Sequence, residues 1–281
     1  MRIGILGPLV AEHDGCSAVP SAPKPRQLLS LLAIQPGRMV LTSTLCDELW
    51  GDHPPASAAT TLQVYIVQLR KLLAAALGVP RERIARDVLV TAGGGYLLQP
   101  PDCELDVRGF TQHTTEGHQA LAAGDSELAS TLFRRALELW RGPALVDVAV
   151  GRVLRAHVRG LEERRFNALE ERIEADLRLG RHRELVSELT AFAAQYPLHE
   201  SMHAHLMVAL HRSGRRCDAL HTFHRIRHTL TNELGLEPSP LLHRLQRSIL
   251  TAEDVQAPHR SSAPVARRPW QADLGQFAVG T

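Results

Sequence analysis

Between Thr60 and Leu73 the chain reads TTLQVYIVQLRKLL, and its apolar positions recur at a helical spacing. With about 100° of turn per residue, Leu62, Tyr65, Ile66, Leu69, Leu72 and Leu73 fall on one side. Thr60, Val64, Val67 and Lys71 fall on the other, flanked by Gln63, Gln68 and Arg70. The first side predicts a core face. The second carries hydroxyl, amide and methyl groups with one ammonium, an unusual set for a solvent face. Those groups match the edges of DNA bases, where amides pair with adenine and methyls meet the thymine methyl. Taken alone, an ordinary surface helix with two exposed valines accounts for the same pattern, so the surroundings must decide.

Ahead of this helix, Arg2 to Val10 predicts a strand, and Ala11 to Pro23 predicts a hairpin and loop around Asp14-Gly15. Pro25 to Ile34 predicts a helix with proline near its first turn and Leu28, Leu29, Leu31 and Leu32 inside. Gln35-Pro36-Gly37 stops it. A short helix over Leu45 to Trp50 is expected next, capped by Ser43 or Thr44, and Ser57 is expected to cap the long helix, which ends at Gly78. Val88 to Thr91 and Tyr96 to Gln99 then flank Gly93-Gly94-Gly95, which spells a hairpin with a glycine tip. Three helices followed by a hairpin predict a winged helix-turn-helix. In that arrangement the third helix enters the major groove and the hairpin reaches the flanking backbone or minor groove. The glycine run does not suit a nucleotide loop, because the Lys-Ser/Thr pair is missing and a strand follows where a helix should begin.

From Val107 onward the pattern is helical almost without break, with helices expected over 107–123, 125–140, 152–179, 181–195, 198–213, 216–234 and 239–250. An internal repeat is visible in it. Leu179-Gly180-Arg181-His182 recurs as Ser213-Gly214-Arg215-Arg216, with the glycines 34 residues apart. That is the period of tetratricopeptide repeats, whose stacked helix pairs make a surface suited to holding another protein. A plain helical bundle is the alternative. The expected fold class is mainly α: a winged helix-turn-helix domain over 1–100 and an all-α tetratricopeptide-like helical domain over 101–250. Pro100-Pro101 marks the join. Residues 251–281 predict a flexible tail, in which Trp270 suggests a short partner-binding motif.

Composition narrows the classes. Of 281 residues, 44% are hydrophobic and 22% charged, which suits globular domains. No apolar run approaches the roughly 18 residues that span a bilayer, so no membrane partner and a cytoplasmic, nucleoid-associated location are expected. Cys16, Cys46, Cys103 and Cys217 form no pairwise motif and read as free thiols. Residues 1–100 carry nine Lys/Arg against seven Asp/Glu, so charge alone does not argue for nucleic acid.

No catalytic constellation emerges, and neither enzyme activity nor a cofactor is expected. Glu162, Glu163, Glu170, Glu171 and Glu174 interleave with Arg164, Arg165 and Arg172 as a salt-bridged solvent face would. Cys217, His221, His224 and His228 share one helical stripe opposite Leu220, Phe223, Ile226 and Leu230, and His199 and His203 form a similar pair. Titrating surface histidines account for both sets better than a metal site does.

Several runs resemble a known family. LLSLLAIQPGRMV, DELWGDHPPASAATTLQVYIVQLRKLL and TAGGGYLL look like the OmpR-type winged helix of the Streptomyces antibiotic regulatory protein family. ELDVRGF, RALELWRGPAL, LEERRFNALEERIEADLRLGRHRELVSELTAF, YPLHESMHAHLMVALHRSGR and ELGLEPSPLLHRL look like that family's bacterial transcriptional activator domain. The resemblance covers about residues 1–250. It implies a transcription activator for a secondary-metabolite gene cluster that binds direct repeats in double-stranded DNA near promoters and contacts RNA polymerase holoenzyme. Repeated half-sites imply two copies side by side, a homodimer on DNA.

The expected DNA-binding residues are Arg26, Thr60, Thr61, Gln63, Val64, Tyr65, Val67, Gln68, Arg70, Lys71, Thr91 and Tyr96. Among them Arg26, Arg70 and Tyr65 are expected at phosphates or the helix margin. The resemblance places polymerase contact in the loop of Trp50, Gly51, Asp52 and His53. This sequence departs from the family at Val67, Gln68, Ala92 and Leu97, where serine, arginine and basic wing residues are usual. Fewer phosphate contacts imply weaker or more partner-dependent binding. The competing expectation is a tetratricopeptide-type adaptor whose winged domain has lost DNA binding.

Overall fold

The computed structural model describes residues 1–99 and 103–251, packed as two compact units, one from Met1 to Ala175 and one beginning at Asp176. The expected join at Pro100-Pro101 and the expected tail with Trp270 lie outside the described residues.

The first unit opens with β1 (Arg2–Gly4), β2 (Val10–His13) and β3 (Cys16–Ser17), an antiparallel meander. Helix α1 (Pro23–Ile34) follows, with proline at its first turn and Leu28, Leu29, Leu31 and Leu32 fully buried. Then come β4 (Met39–Leu41), α2 (Thr42–Trp50) and α3 (Ala58–Leu77). Gly78 ends α3 in the left-handed conformation, φ 65°, with its N–H on the Ala74 carbonyl. A short turn of helix, α4 (Arg81–Arg83), runs into a π-helical turn over Ile84–Val88. The wing is β5 (Leu89–Ala92) and β6 (Gly95–Leu98), with Ala92 opposite Gly95. Gly93 and Gly94 both have positive φ, 46° and 84°, as a two-residue hairpin turn of the primed type requires. Gly95 is required for another reason: a Cβ there would collide with the Val40 carbonyl oxygen where β4 pairs with β6.

Two capping expectations fail. Leu41, not Ser43 or Thr44, sits at the start of α2, and the Thr42 hydroxyl donates to the Gly94 carbonyl at 2.7 Å instead, tying the wing tip to that helix. Ser57 does precede α3, but its backbone is not extended (φ −87°, ψ 9°) and its side chain makes no cap.

The compact unit continues past residue 100. β7 (Glu104–Leu105) joins β1 in parallel, giving a sheet in the order β3-β2-β1-β7. Asp106 then opens α5 (Asp106–Ala122), and its carboxylate accepts the backbone N–H groups of Ile5 and Leu6, both at 3.0 Å. Arg141 donates to the same carboxylate at 2.9 Å and to the Pro8 carbonyl at 3.0 Å. The motif ELDVRGF is therefore strand, lock and helix start in seven residues. Helix α6 (Ser126–Glu138) packs on α5, with Phe110 edge-on to Trp140 at 5.5 Å.

Helix α7 (Arg152–Arg178) begins at a second lock. Glu48 of α2 is buried, and its carboxylate accepts Gly151, Val153 and Leu154 N–H groups at 2.6, 2.8 and 2.9 Å, plus the Gln27 amide at 2.7 Å. A carboxylate at a helix start satisfies amides that lack a partner within the helix and meets the positive end of its dipole. The expected solvent face of α7 is corrected over its C-terminal half. Glu170, Arg172 and Glu174 are buried, 5%, 8% and 8% exposed, along with Ile173 and Ala175. The helix is covered on more than one face there, which one-sided periodicity does not reveal.

The second unit holds the end of α7, then α8 (His182–Gln195), α9 (Glu200–Arg212), α10 (Arg216–Leu234) and α11 (Pro240–Thr251). The glycines 34 residues apart take the same left-handed turn, φ 80° at Gly180 and 81° at Gly214. Helix α9 is central, packed against α8, α10 and α11. The His199 and His203 pair is corrected: His199 is exposed, whereas His203 is buried with Nδ1 on the His199 carbonyl. Cys217, His221, His224 and His228 are all exposed. Among the described residues no three His, Cys, Asp or Glu side chains gather to hold a metal. Among them, too, no single helix is long and apolar enough to cross a membrane.

Candidate nucleic-acid interface

Helix α3 divides sharply into two faces. Leu62, Ile66, Leu69 and Leu73 are buried to 2% exposure or less. Thr60, Gln63, Val64, Val67, Gln68 and Lys71 are exposed, the valines at 49% and 56%. The helical phase set from the sequence is the phase in the fold. Thr61 and Tyr65 lie half-buried at its margins. The exposed face offers two amides, two isopropyl groups, a hydroxyl and one ammonium, with no side-chain partner among the described residues.

The supporting residues form a stack on one flank. The Tyr65 ring lies parallel to Trp50, with centroids 6.4 Å apart at 17°. Lys24 Nζ sits 4.8 Å from the Trp50 ring and donates to the Leu49 carbonyl at 3.2 Å. Trp50 is therefore the last residue of α2 and a prop for α3, and the exposed loop proper begins at Gly51. Gly51 returns its N–H to the Asp47 carbonyl, and Asp52 and His53 stand in solvent.

Four residues expected at phosphates or on the wing are engaged within the fold. Arg70 donates Nε and Nη2 to the Leu89 carbonyl at 3.0 and 2.8 Å, and Nη2 to the Thr91 hydroxyl at 2.8 Å. It staples the wing strand β5 to α3, and burial pushes its guanidinium below the ordinary arginine range. Thr91 is exposed but already accepts this bond. Tyr96 points inward at 8% exposure, belonging to the core under the wing. Arg26 on α1 donates to the Pro20 carbonyl at 3.0 Å and to the Asp147 carboxylate at 3.1 Å, a carboxylate that also accepts Leu9 N–H. Apart from Pro20, these partners lie 19 to 121 residues away along the chain, where sequence reasoning could not see them.

The fold brings forward cations that sequence reasoning passed over. Arg38 stands exposed one residue before β4, the strand that completes the wing sheet, and Arg81 stands exposed after α3. Neither has a charged partner among the described residues. Arg83 and Arg86, by contrast, both pair with Asp87, at 3.7 and 2.9 Å. The wing itself, over 88–99, has no Lys or Arg. The candidate interface thus combines a face whose one charge is the Lys71 ammonium with few free cations.

Comparison with known proteins agrees with this geometry. Residues 17–98 match the family model described as "Transcriptional regulatory protein, C terminal", and residues 105–250 match "Bacterial transcriptional activator domain". Regulatory protein DnrI of Streptomyces peucetius is 52% identical over 253 residues, covering 90% of this chain and 93% of DnrI. Regulatory protein AfsR of Streptomyces griseus is 37% identical over 94% of this chain, which spans only 26% of AfsR. The solved structure of Mycobacterium tuberculosis EmbR superposes with a TM-score of 0.82 at 35% identity, covering 91% of this chain and 66% of that one. The chain therefore belongs to the Streptomyces antibiotic regulatory protein family, DNA-binding transcriptional activators built from an OmpR-type winged helix and a bacterial transcriptional activator domain.

Proposed function

We propose that this chain switches on a secondary-metabolite gene cluster by binding direct repeats near its promoters, two copies side by side. Thr60, Gln63, Val64, Val67, Gln68 and Lys71 read base edges from the major groove. The carrying observation is that this face of α3 is exposed and has no side-chain partner among the described residues, although it holds two valines. Methyl groups discriminate thymine through its C5-methyl, and amides pair with adenine N6 and N7. Arg38 and Arg81 supply phosphate contacts. Asp52 and His53 reach RNA polymerase holoenzyme from the tip of the α2–α3 loop, with Trp50 and Gly51 fixing its base.

Gel-shift titration against the intergenic regions beside the chain's own gene tests this reading. The expected result is a sequence-preferring shift that weakens as salt rises, with two steps on a probe carrying both repeats. Replacing the operator's thymines by uracil removes only the C5-methyl and is expected to weaken binding at the positions facing Val64 and Val67. Absence of any salt-sensitive, sequence-preferring shift would leave the adaptor reading in its place.

A further inference from the structure

In the second unit a cleft of about 550 Å³ is lined by Arg183, Val186, Ser187, Thr190, Ser213 and Arg215. The first four form one stripe of α8 at i, i+3, i+4 and i+7, and the last two belong to the turn between α9 and α10. The volume suits a small molecule. We propose that this cleft binds a small organic anion through an oxyanion group, phosphate or carboxylate, held between Arg183 and Arg215.

Four of the six lining residues, Arg183, Ser187, Ser213 and Arg215, can donate hydrogen bonds. Arg183 is exposed and has no ion-pair partner among the described residues. Arg215 spends Nε on Asp218 at 2.7 Å, while its terminal nitrogens bond to no described residue. Guanidinium forks match the two oxygens of a carboxylate or phosphate, which makes arginine the residue suited to such groups. The Ser187 hydroxyl is unengaged. Thr190 donates its hydroxyl to the Val186 carbonyl at 2.7 Å and so offers only its lone pairs.

Two further observations point to a ligand rather than a solvated basic edge. The Ser213 hydroxyl is buried without a hydrogen-bond partner, as is Nδ1 of His211 in the turn before it. A buried polar atom left unpaired is costly, and a bound oxyanion repairs that cost by accepting the hydroxyl proton. Helices α8 and α10 also both start here without a side-chain cap, each with arginine at the cap position, Arg181 and Arg215. Cations at the positive ends of two helix dipoles oppose the usual preference, and an anion between them reverses the sign of that interaction. The acidic groups at this end are Asp218, already paired with Arg215, Asp176, already paired with Arg181 at 2.7 Å, and Glu184 in the first turn of α8.

The test is isothermal titration of the full chain, without DNA, with two probes: inorganic phosphate and succinate. Saturable binding of either is expected. The arm that binds tighter identifies the oxyanion. The double variant R183E/R215E is expected to bind that probe roughly tenfold or more weaker, because charge-assisted bonds are lost and two repulsive carboxylates take their place. Ser213→Ala, which removes only the hydroxyl, is expected to weaken binding less, with the same preference between probes. Arg247→Glu, a charge reversal at an exposed position of α11, controls for a charge reversal placed outside the cleft. Circular dichroism checks that each variant is folded. No saturable binding of either probe, equal binding by R183E/R215E, or equal loss in Arg247→Glu would each overturn the proposal. Since no DNA is present, its failure is separate from any failure of the DNA-binding reading.

Discussion

Helices α3 and α9 are both rich in aliphatic residues, yet the protein treats them oppositely. In α9 every residue from Met202 to Leu210 is buried, two histidines included. In α3 only one face is buried, and Val64 and Val67 stay in water. Burying a valine fully is worth about 1.5–3 kcal/mol, of which α3 forgoes roughly half at each of Val64 and Val67. An apolar side chain held out of the core beside amides, on a helix braced by Trp50 and Arg70, is suited to a partner supplied from outside. Helix α9 needs no outside partner, because α8, α10 and α11 already surround it.

The most direct way to break that comparison is to place the same charge on both helices. Val208→Asp puts an unpaired carboxylate where exposure is 0% and is expected to cost about 4 kcal/mol or more. A large fall in the melting temperature of the helical circular-dichroism signal would report it. Val67→Asp is expected to change stability by no more than about 0.5 kcal/mol, while abolishing DNA binding through repulsion from the phosphates. Equal melting shifts for the two variants would remove the distinction between a reading face and a core helix.

Next in size is the lock at the start of α7. Glu48→Gln keeps the shape but turns a donor toward amides that need an acceptor. Three backbone N–H groups and the Gln27 amide lose their shared carboxylate, for an expected cost of about 2–4 kcal/mol in denaturant unfolding. A cost under about 0.5 kcal/mol would mean that water replaces the carboxylate there.

Within the interface, two groups of substitutions are expected to separate by kind of effect. Val64→Ala and Gln68→Ala relax preference at particular base pairs, by about 1–3 kcal/mol for a good contact, and leave the fold alone. Arg70→Ala releases β5 from α3 and lowers affinity for every sequence without changing the salt slope, because its guanidinium is spent on Leu89 and Thr91. Arg38→Ala instead lowers that slope by about 1, as loss of a phosphate contact does. A salt slope that falls equally in Arg70→Ala would return Arg70 to the phosphates.

What the sequence disclosed follows from the range of the forces involved. The faces of α3, the glycine-tipped wing and the repeated turn at Gly180 and Gly214 are all local. Each is written in spacing over a few residues, and each was legible. The roles of Arg26, Arg70 and Tyr96 depend on partners across the fold, Asp147, Leu89 and the core under the wing, so their chemistry suggested DNA where packing uses them for support. The locks at Asp106 and Glu48 were invisible for the same reason: an acidic residue gives no sign in sequence of which distant amides it will accept. Burial of Glu170, Arg172, Glu174 and His203 was missed because a helix covered on several faces has no polar side to reveal.

The smallest expected effect concerns that buried histidine. His203 lies inside α9 with Nδ1 on the His199 carbonyl, and burial pushes its pKa below the ordinary 6.5. The His199 carbonyl bond and Glu200 act against the shift, while Arg225 and His199 add to it. The folded state therefore prefers the neutral imidazole, and the unfolded chain binds the proton more readily. Stability contributed by this group is complete above about 6.5 and is lost as pH falls from there through the lower folded value. His203→Gln keeps a polar side chain of similar reach without a titrating group. Its unfolding midpoint is expected to depend less on pH below 6.5 than that of the parent chain. The same substitution at His157, whose burial lowers its pKa in the first unit, is expected to flatten the curve for that unit in the same direction. Unchanged pH dependence in His203→Gln would show that the imidazole takes up its proton as readily within α9 as in the unfolded chain, and the contrast between a closed helix and an open one would weaken at that point.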